Sequence, residues 1–313
     1  MKNRPAVVIL FAAAILFSAF TGAEAGGPAV YSASVSTNGC PIAENLEYTT
    51  YRNVAIKGRF SAYDPDGDAL KYELVSVPAK GTVTVEGDEF TYTPAENKKG
   101  RDRFTYAAID GSGTVSDEAL VEITIKKQKC SVCYCDMDGD PALSSAIALA
   151  DAGIYTGKQV CGKYFFCPDA EVTRAEFLDM CLNAAGIEML SGVTKTGFDD
   201  DGAMAEWQRQ TAATALMCGS ISGYRTGCGT IVFDPDAPVS VAEAIVMLNS
   251  AAGLTDVTPV FYPDGENWVS QAAANLTSCG IIGRDSSISY SETLTMSGAA
   301  DMLASAMSVL EKR

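Results

Sequence analysis

Residues 164–177 read YFFCPDAEVTRAEF, and variants of this stretch return twice further along the chain. The second copy is FDPDAPVSVAEA at 233–244, and the third is ISYSETLTMSGA at 288–299. Each copy follows an Ala- and Leu-rich segment that ends in glycine, where a left-handed helix cap is expected. The pattern of helix, glycine stop, loop and helix therefore occurs three times. Units this small bury their apolar faces only by packing together, so we expect the three to form one bundle.

The second helix of each unit is predicted to begin at Thr173, Ser240 or Thr295. Glu176 and Glu243 follow the first two by three residues, which predicts capping boxes. A capping box stabilises a helix by about 1 kcal/mol and requires no ligand. These residues therefore have a complete structural explanation.

The three units resemble S-layer homology repeats. The resemblance rests on 166–169 and 173–176, on their counterparts in the second unit, and on Trp207 and Trp268 in the opening helices. It implies a mainly α, pseudo-threefold bundle with grooves that bind an anionic cell-wall polysaccharide, often pyruvylated. The units are assigned to 128–190, 191–255 and 256–313. The polysaccharide-binding residues that the resemblance implies are Thr173, Arg174, Glu176, Ser240, Glu243, Trp207 and Trp268.

The repeats depart from the family pattern at the motif that carries binding. Only the first unit keeps an arginine, and the third lacks both arginine and glutamate. Arg174 has two interpretations. In the first, its guanidinium lies beside free N–H groups of a helix N-terminus, which suits a carboxylate ligand. In the second, it is a solvated surface residue or forms a salt bridge with a neighbouring acid. Trp207 and Trp268 are either sugar platforms or residues of the core and groove walls. The resemblance therefore supports the fold more strongly than it supports polysaccharide binding.

Residues 40–127 show a different pattern, in which apolar and polar side chains alternate with a period of two. Turn sequences separate the alternating segments, and about seven strands at this spacing indicate an immunoglobulin-like β-sandwich. The order of the turns resembles the cadherin-like bacterial Ig-like repeat, which implies a spacer or an adhesive unit. Six strands are predicted, at 54–58, 71–75, 81–85, 89–93, 103–107 and 119–124.

One turn of this region carries three alternate acids, Asp64, Asp66 and Asp68. Carboxylates in a tight glycine-containing turn can converge on calcium. The alternative is a β-turn that the Asp side chains and a proline stiffen. The acidic run at 136–140 is a weaker example, because it lacks the glutamate of an EF-hand loop. Calcium is the one cofactor that the sequence suggests.

The first 25 residues have the order of a secretory signal peptide, with basic residues, an apolar run and a small-residue cleavage site at 23–25. A retained N-terminal anchor is the alternative. Residues 26–39 then form a linker. We therefore expect a secreted protein, located at the cell surface or wall, with no membrane span after the signal is removed.

The chain carries a net charge of −16, which disfavours nucleic acid and anionic membranes as partners. An anionic wall polymer would need a local basic site. The chain contains no histidine, which excludes Ser-His-Asp and Cys-His mechanisms. No recognisable pair of catalytic carboxylates replaces them, so a non-catalytic protein is predicted.

Ten cysteines lie beyond the predicted signal peptide, where disulfides are the default. The first pairs to consider by proximity are Cys161 with Cys167 and Cys218 with Cys228. A zinc site at 130–135, which holds three cysteines, is the alternative.

Two functions remain in view. The first is a wall-attached surface protein with an outward-facing sandwich that contacts surface protein partners. The second is a structural or adhesive protein whose repeats no longer bind polymer. A secreted carbohydrate-active enzyme or its accessory is disfavoured, because the sequence shows no catalytic constellation.

Overall fold

A computed structural model describes residues 38–255, 257–258, 268–283 and 289–313. The predicted signal peptide and nearly all of the linker lie outside these residues. Residues 39–313 form one compact unit. None of the helices described is both long and apolar enough to cross a bilayer.

The first part of this unit is a β-sandwich. One sheet has the strand order β2-β9-β8-β5, a second has the order β3-β7-β6, and β1 pairs with β4. The strands described are β1 (Ile42–Ala43), β2 (Leu46–Tyr51), β3 (Ile56–Arg59), β4 (Ala62–Tyr63), β5 (Lys71–Leu74), β6 (Gly81–Glu86), β7 (Glu89–Pro94), β8 (Gly100–Ile109) and β9 (Ala119–Lys126).

Aromatic side chains fill the space between the two sheets. The ring of Phe60 lies 4.4 Å from that of Tyr106 and 5.0 Å from that of Phe90, measured between centroids. The buried hydroxyl of Tyr106 donates to the carbonyls of Glu44 at 2.6 Å and Ser61 at 2.7 Å. The alternation predicted from sequence thus produces an aromatic sandwich core in which the Tyr106 hydroxyl has acceptors.

The six predicted strands are all present, with altered ends. Strand β8 starts at Gly100, three residues before the predicted start at 103, and β2 lies outside the predicted ranges. Strand β2 pairs in parallel with β9, from Leu46 opposite Val121 to Tyr51 opposite Lys126. Such a parallel pairing joins distant segments, so local alternation does not reveal it.

The second part is helical. In the described residues its helices are α1 (Leu143–Asp151), α2 (Arg174–Ala184), α3 (Glu206–Met217), α4 (Val241–Ala252), α5 (Ser270–Ser278) and α6 (Met296–Leu310). Two short hairpins lie in the loops of the first two units, and the sequence patterns did not predict them. They consist of β10 (Lys158–Val160) with β11 (Lys163–Phe165), and β12 (Tyr224–Arg225) with β13 (Ile231–Val232).

The helices are arranged cyclically. The second helices of the units, α2, α4 and α6, contact one another at the centre. The opening helices α1, α3 and α5 pack against α6, α2 and α4 respectively. Each unit therefore places its first helix on its neighbour's second helix, and the last unit closes onto the first.

A ring of three backbone hydrogen bonds joins the units ahead of their second helices. Val172 donates to the carbonyl of Leu294 at 3.1 Å, Leu294 to that of Val239 at 2.9 Å, and Val239 to that of Val172 at 2.9 Å. Each of these residues immediately precedes a helix N-cap. The ring requires all three units, so none of them satisfies this backbone alone.

The sandwich and the helical part are in direct contact. Tyr51 and Val54 from the sandwich bury their side chains against Ile147 of α1. Beside this cluster, the backbone N–H groups of Lys129 and Cys130 donate to the carboxylate of Asp151 at 2.8–3.0 Å. Apolar packing therefore joins the two parts, while the Asp151 carboxylate holds the segment that follows the sandwich against α1.

Candidate functional site

The sequence motif around residue 173 lies at the N-terminus of α2. The Thr173 hydroxyl accepts from the Glu176 N–H at 3.2 Å, and the Glu176 carboxylate accepts from the Thr173 N–H at 3.1 Å. Ser240 and Glu243 make the same two bonds at 3.3 and 3.0 Å. Both predicted capping boxes are confirmed. In the third unit, Thr295 accepts from the Gly298 N–H at 3.2 Å.

The remaining N–H groups of these helix starts are also occupied. The first two N–H groups of each second helix donate to carbonyls in the loop of the next unit around the ring. Since the next N–H bonds to the cap, these helix ends offer little to an anion. The bonds measure 2.8–3.1 Å and run from Arg174 and Ala175 to Ala237 and Pro235, from Val241 and Ala242 to Glu292 and Tyr290, and from Met296 and Ser297 to Ala170 and Pro168.

Arg174 lies inside the interface between the first two units, with 6% of its surface exposed. Its Nε donates to the carbonyl of Phe233 at 2.8 Å, and its Nη1 forms an ion pair with Glu243. The guanidinium lies 5.5 Å from the ring centre of Tyr224 and 5.3 Å from that of Phe233. The interpretation of Arg174 as an open carboxylate-binding group is therefore wrong, because the second unit supplies its partners. The salt-bridge interpretation is confirmed.

Tyr224 belongs to this cluster although no sequence signal indicated it. It lies on the hairpin β12–β13, and its hydroxyl donates to Asp234 at 2.7 Å. Only the folded hairpin brings the ring against an arginine 50 residues earlier in the chain.

Two of the three contacts between an opening helix and a second helix contain an equivalent hydroxyl–carboxylate pair. Thr211 of α3 donates to Asp179 of α2 at 3.0 Å, and Ser145 of α1 donates to Asp301 of α6 at 2.6 Å. Burial raises the pKa of the Asp179 carboxyl above its usual range, although the hydrogen bonds from Thr211 and Asn183 oppose that shift.

The two tryptophans occupy equivalent places. Trp207 and Trp268 each lie 11 residues before the C-cap of their opening helix, where the first unit has Pro141. Trp207 is 44% exposed and Trp268 is 58% exposed. Both indoles are therefore accessible, and neither is a core residue.

The acidic turn predicted to bind calcium is held by its own hydrogen bonds. Asp64 accepts from the N–H groups of Asp66 at 2.9 Å and Asp68 at 3.2 Å, and Asp66 accepts from the N–H of Gly39. No group of three or more Asp, Glu, Cys or His side chains with metal-binding geometry occurs in the described residues. The calcium prediction is thus wrong for this trio, because Asp64 closes the turn instead.

The weaker acidic run at 136–140 behaves in a similar way. The Asp136 carboxylate accepts from the N–H groups of Phe166 at 2.9 Å and Cys167 at 2.7 Å. Asp140 accepts from the Ala142 N–H at 2.8 Å, just before α1. Both acids therefore order the backbone of the first unit.

Cys161, Cys167, Cys218 and Cys228, the cysteines of the two predicted pairs, are free thiols in the structure. Cys161 lies in the tip of the hairpin β10–β11, whereas Cys167 lies beyond its open end, so three paired positions separate them. At about 3.3 Å per strand residue their separation exceeds the reach of a disulfide, and the predicted pair is wrong. Cys218 caps α3 and Cys228 lies in the loop between β12 and β13, and neither is bonded. The zinc alternative at 130–135 has no metal-binding group there either.

Comparison with known proteins supports the assignment of the first part. Residues 38–127 match the family model of the bacterial cadherin-like domain and form such a domain. No curated protein matches the chain.

Several solved structures are similar to part of the chain at low identity. An endo-fucoidan hydrolase of glycoside hydrolase family 107, MfFcnA9, is 19% identical over 32% of this chain and 18% of its own, with a TM-score of 0.24. The sialic acid binding region of a Streptococcus sanguinis adhesin is 15% identical over 31% of each chain, with a TM-score of 0.23. The fibronectin(III)-like modules of Clostridium thermocellum CbhA are 17% identical over 31% of this chain and 52% of theirs, with a TM-score of 0.22. The chain thus spans about half or less of each of these proteins.

Proposed function

We propose that this is an exported, non-catalytic surface protein whose three S-layer homology-like repeats attach it to a cell-wall polysaccharide. The bacterial cadherin-like domain then acts as a spacer or an adhesive unit toward surface protein partners. The cyclic packing of three helix pairs supports the S-layer homology assignment, because that family is expected to close three repeats into one bundle.

The observation that carries wall binding is the exposure of Trp207 and Trp268 at equivalent positions. The phenylalanines Phe166, Phe177 and Phe233 of the bundle are fully buried by contrast. An exposed indole does not gain the free energy that burial of its apolar surface would give, and this occurs at two repeats. The exposure therefore favours a binding role. The flat apolar face and N–H donor of an indole suit the C–H face and hydroxyls of a sugar ring.

Arg174 and Glu243 contribute to this function indirectly. Their ion pair bridges the first and second units and helps to hold these two units together. In this proposal the exposed indoles bind the sugar, and the Thr-Arg-Ala-Glu motif does not.

A second candidate is a structural or adhesive surface protein whose repeats do not bind polymer. The burial of Arg174 favours it, since this is the single arginine in the three repeat motifs and its guanidinium is occupied by protein groups. In that case the bundle serves only to support the sandwich.

Co-sedimentation of the purified protein with cell-wall sacculi separates the two functions. We expect the wild type to co-sediment and the Trp207→Ala/Trp268→Ala variant to bind about tenfold more weakly or worse. Tyr63→Ala removes an equally exposed aromatic from the sandwich and should bind like the wild type. Failure of the wild type to co-sediment would instead support the structural function.

A further inference from the structure

Positive charge is concentrated on one face of this acidic protein. In the four-stranded sheet, Arg101 and Arg103 of β8 lie two residues apart, so both side chains project from the same face. They pair across the sheet with Thr124 and Glu122 of β9. Lys126 follows on that face of β9, two residues after Thr124. The core side of β8 carries the buried residues Asp102 and Phe104 instead.

A groove of about 750 Å³ runs along this face. Val77 and Leu120 contribute apolar surface to it, while Lys80, Arg101 and Arg103 contribute positive charge. The Lys80 ammonium donates to the backbone carbonyls of Lys99 at 3.3 Å and Arg101 at 2.6 Å. These contacts position the ammonium without cancelling its charge, because a carbonyl carries no net charge.

The positive surface continues toward the helical part. Lys126 lies 4.0 Å from Glu311, and Lys312 lies 2.6 Å from Glu47. Arg101 pairs with Glu122 at 3.4 Å with 77% of its side chain exposed. Exposed ion pairs of this kind are weak, so an incoming anion can replace the carboxylates. We call the five cations the basic face: Lys80, Arg101, Arg103, Lys126 and Lys312.

Charge balance distinguishes this face from the remainder of the molecule. Its five cations lie among five carboxylates, those of Glu47, Asp102, Glu118, Glu122 and Glu311, whereas the whole chain has a net charge of −16. Within the described residues, Arg103 and Lys80 form no ion pair with a carboxylate. Two cations without an ion pair on so acidic a protein have no evident role in folding.

We propose that the basic face binds a linear acidic polysaccharide through its carboxylate groups. Guanidinium groups form two-pronged bonds with carboxylates, and their spacing of about 7 Å along β8 is of the order of one sugar residue. Val77 and Leu120 offer apolar contact to the sugar rings between the acid groups. This inference deepens the proposed function, on which it rests for the wall polymer as ligand, and it supplies the basic site that Arg174 does not.

A thin chain fits this surface better than a membrane does. An extended anionic bilayer would approach the acidic remainder of the protein within the screening length of about 8 Å, and repulsion would oppose docking. A polysaccharide lying in the groove meets mainly the local cations.

The test uses the full chain and polygalacturonate, a linear polymer with one carboxylate per sugar, with affinity followed by biolayer interferometry. We expect wild-type binding that weakens with salt, no binding to neutral dextran, and about fivefold weaker binding of Arg101→Ala/Arg103→Ala. Glu122→Gln should bind about twofold more tightly, because it removes the carboxylate that competes for Arg101. Lys158→Ala/Lys163→Ala, with the same loss of charge on the exposed hairpin β10–β11, should bind like the wild type.

Equal weakening by the two double variants would overturn the proposal, as would equal binding of dextran or a preference for phosphatidylglycerol vesicles. Unchanged melting temperatures of the variants exclude unfolding as the cause of any loss. If Arg101→Ala/Arg103→Ala leaves polygalacturonate binding unchanged while Trp207→Ala/Trp268→Ala no longer co-sediments with sacculi, only this inference fails. The reverse result would refute wall attachment through the repeats and support the basic face.

Discussion

Arg174 shows how a motif residue can serve the fold. Its guanidinium is shared between a carbonyl, a carboxylate and two aromatic rings, all from the second unit. A lysine could not reproduce this set, because its ammonium lacks the planar face that lies against the two rings while the N–H groups reach the two acceptors. The residue therefore links two repeats that are far apart in sequence.

Arg174→Ala should lower the free energy of unfolding by about 2–4 kcal/mol, because it leaves the Phe233 carbonyl and the Glu243 carboxylate without their donor. Arg174→Lys should lose less, since a cation remains near Glu243. Chemical denaturation followed by far-UV circular dichroism measures both values. Wild-type stability of Arg174→Ala would show that the ion pair is dispensable.

Asp179 makes a pH-dependent contribution at the interface of α2 and α3. Because its folded-state pKa is raised, the folded protein binds the proton more tightly than the unfolded chain, and stability from this group increases as pH falls through the folded pKa. Asp179→Asn removes the titration but keeps an oxygen that can accept from Thr211. The stability of the variant relative to the wild type should therefore be highest at pH 7 and should decrease toward pH 4. Urea denaturation across this range measures the difference, and a constant difference would contradict the raised pKa.

At the scale of single elements, side-chain caps determine where the second helices start. Thr173→Ala should destabilise the protein by about 1 kcal/mol, because it leaves the Glu176 N–H without an acceptor. Thr173→Ser keeps the hydroxyl and serves as the control. Thermal unfolding of both variants tests the effect, and equal melting temperatures for alanine and serine would show that the cap contributes nothing.

For the whole molecule, closure of the bundle depends on the third unit. The third unit supplies the carbonyl acceptor for Val172 and those for the first turn of α4. It also supplies α6, on which α1 packs.

A chain that ends at residue 255 should therefore lose cooperative unfolding of the first two units, because apolar surface and backbone N–H groups become exposed together. The cadherin-like domain should keep its own transition, since its core cluster draws only on sandwich residues. Limited proteolysis and circular dichroism would show a protected fragment near residues 39–127 beside a digested remainder. Protection of the first two units in this truncated chain would contradict the closed ring.

Local sequence patterns were sufficient for features that depend on neighbouring residues. Period-two alternation located six strands, the positions of Thr173, Ser240 and Thr295 marked the helix starts, and the glycines marked the helix ends. Each of these depends on backbone geometry within a few residues, so a short window contains the necessary information.

Contacts between residues far apart in the chain determined the features that local patterns did not predict. The parallel pairing of β2, the ring that joins Val172, Val239 and Leu294, and the burial of Arg174 against Tyr224 each bring together residues that are far apart in the chain. Folding also separates near neighbours, since the hairpin β10–β11 places Cys161 at its tip and Cys167 beyond its open end. Whether a polar side chain faces a ligand or another part of the protein depends on the neighbours that folding supplies. The sequence therefore showed which chemical groups the motif contains, while only the tertiary structure showed whether a ligand can reach them.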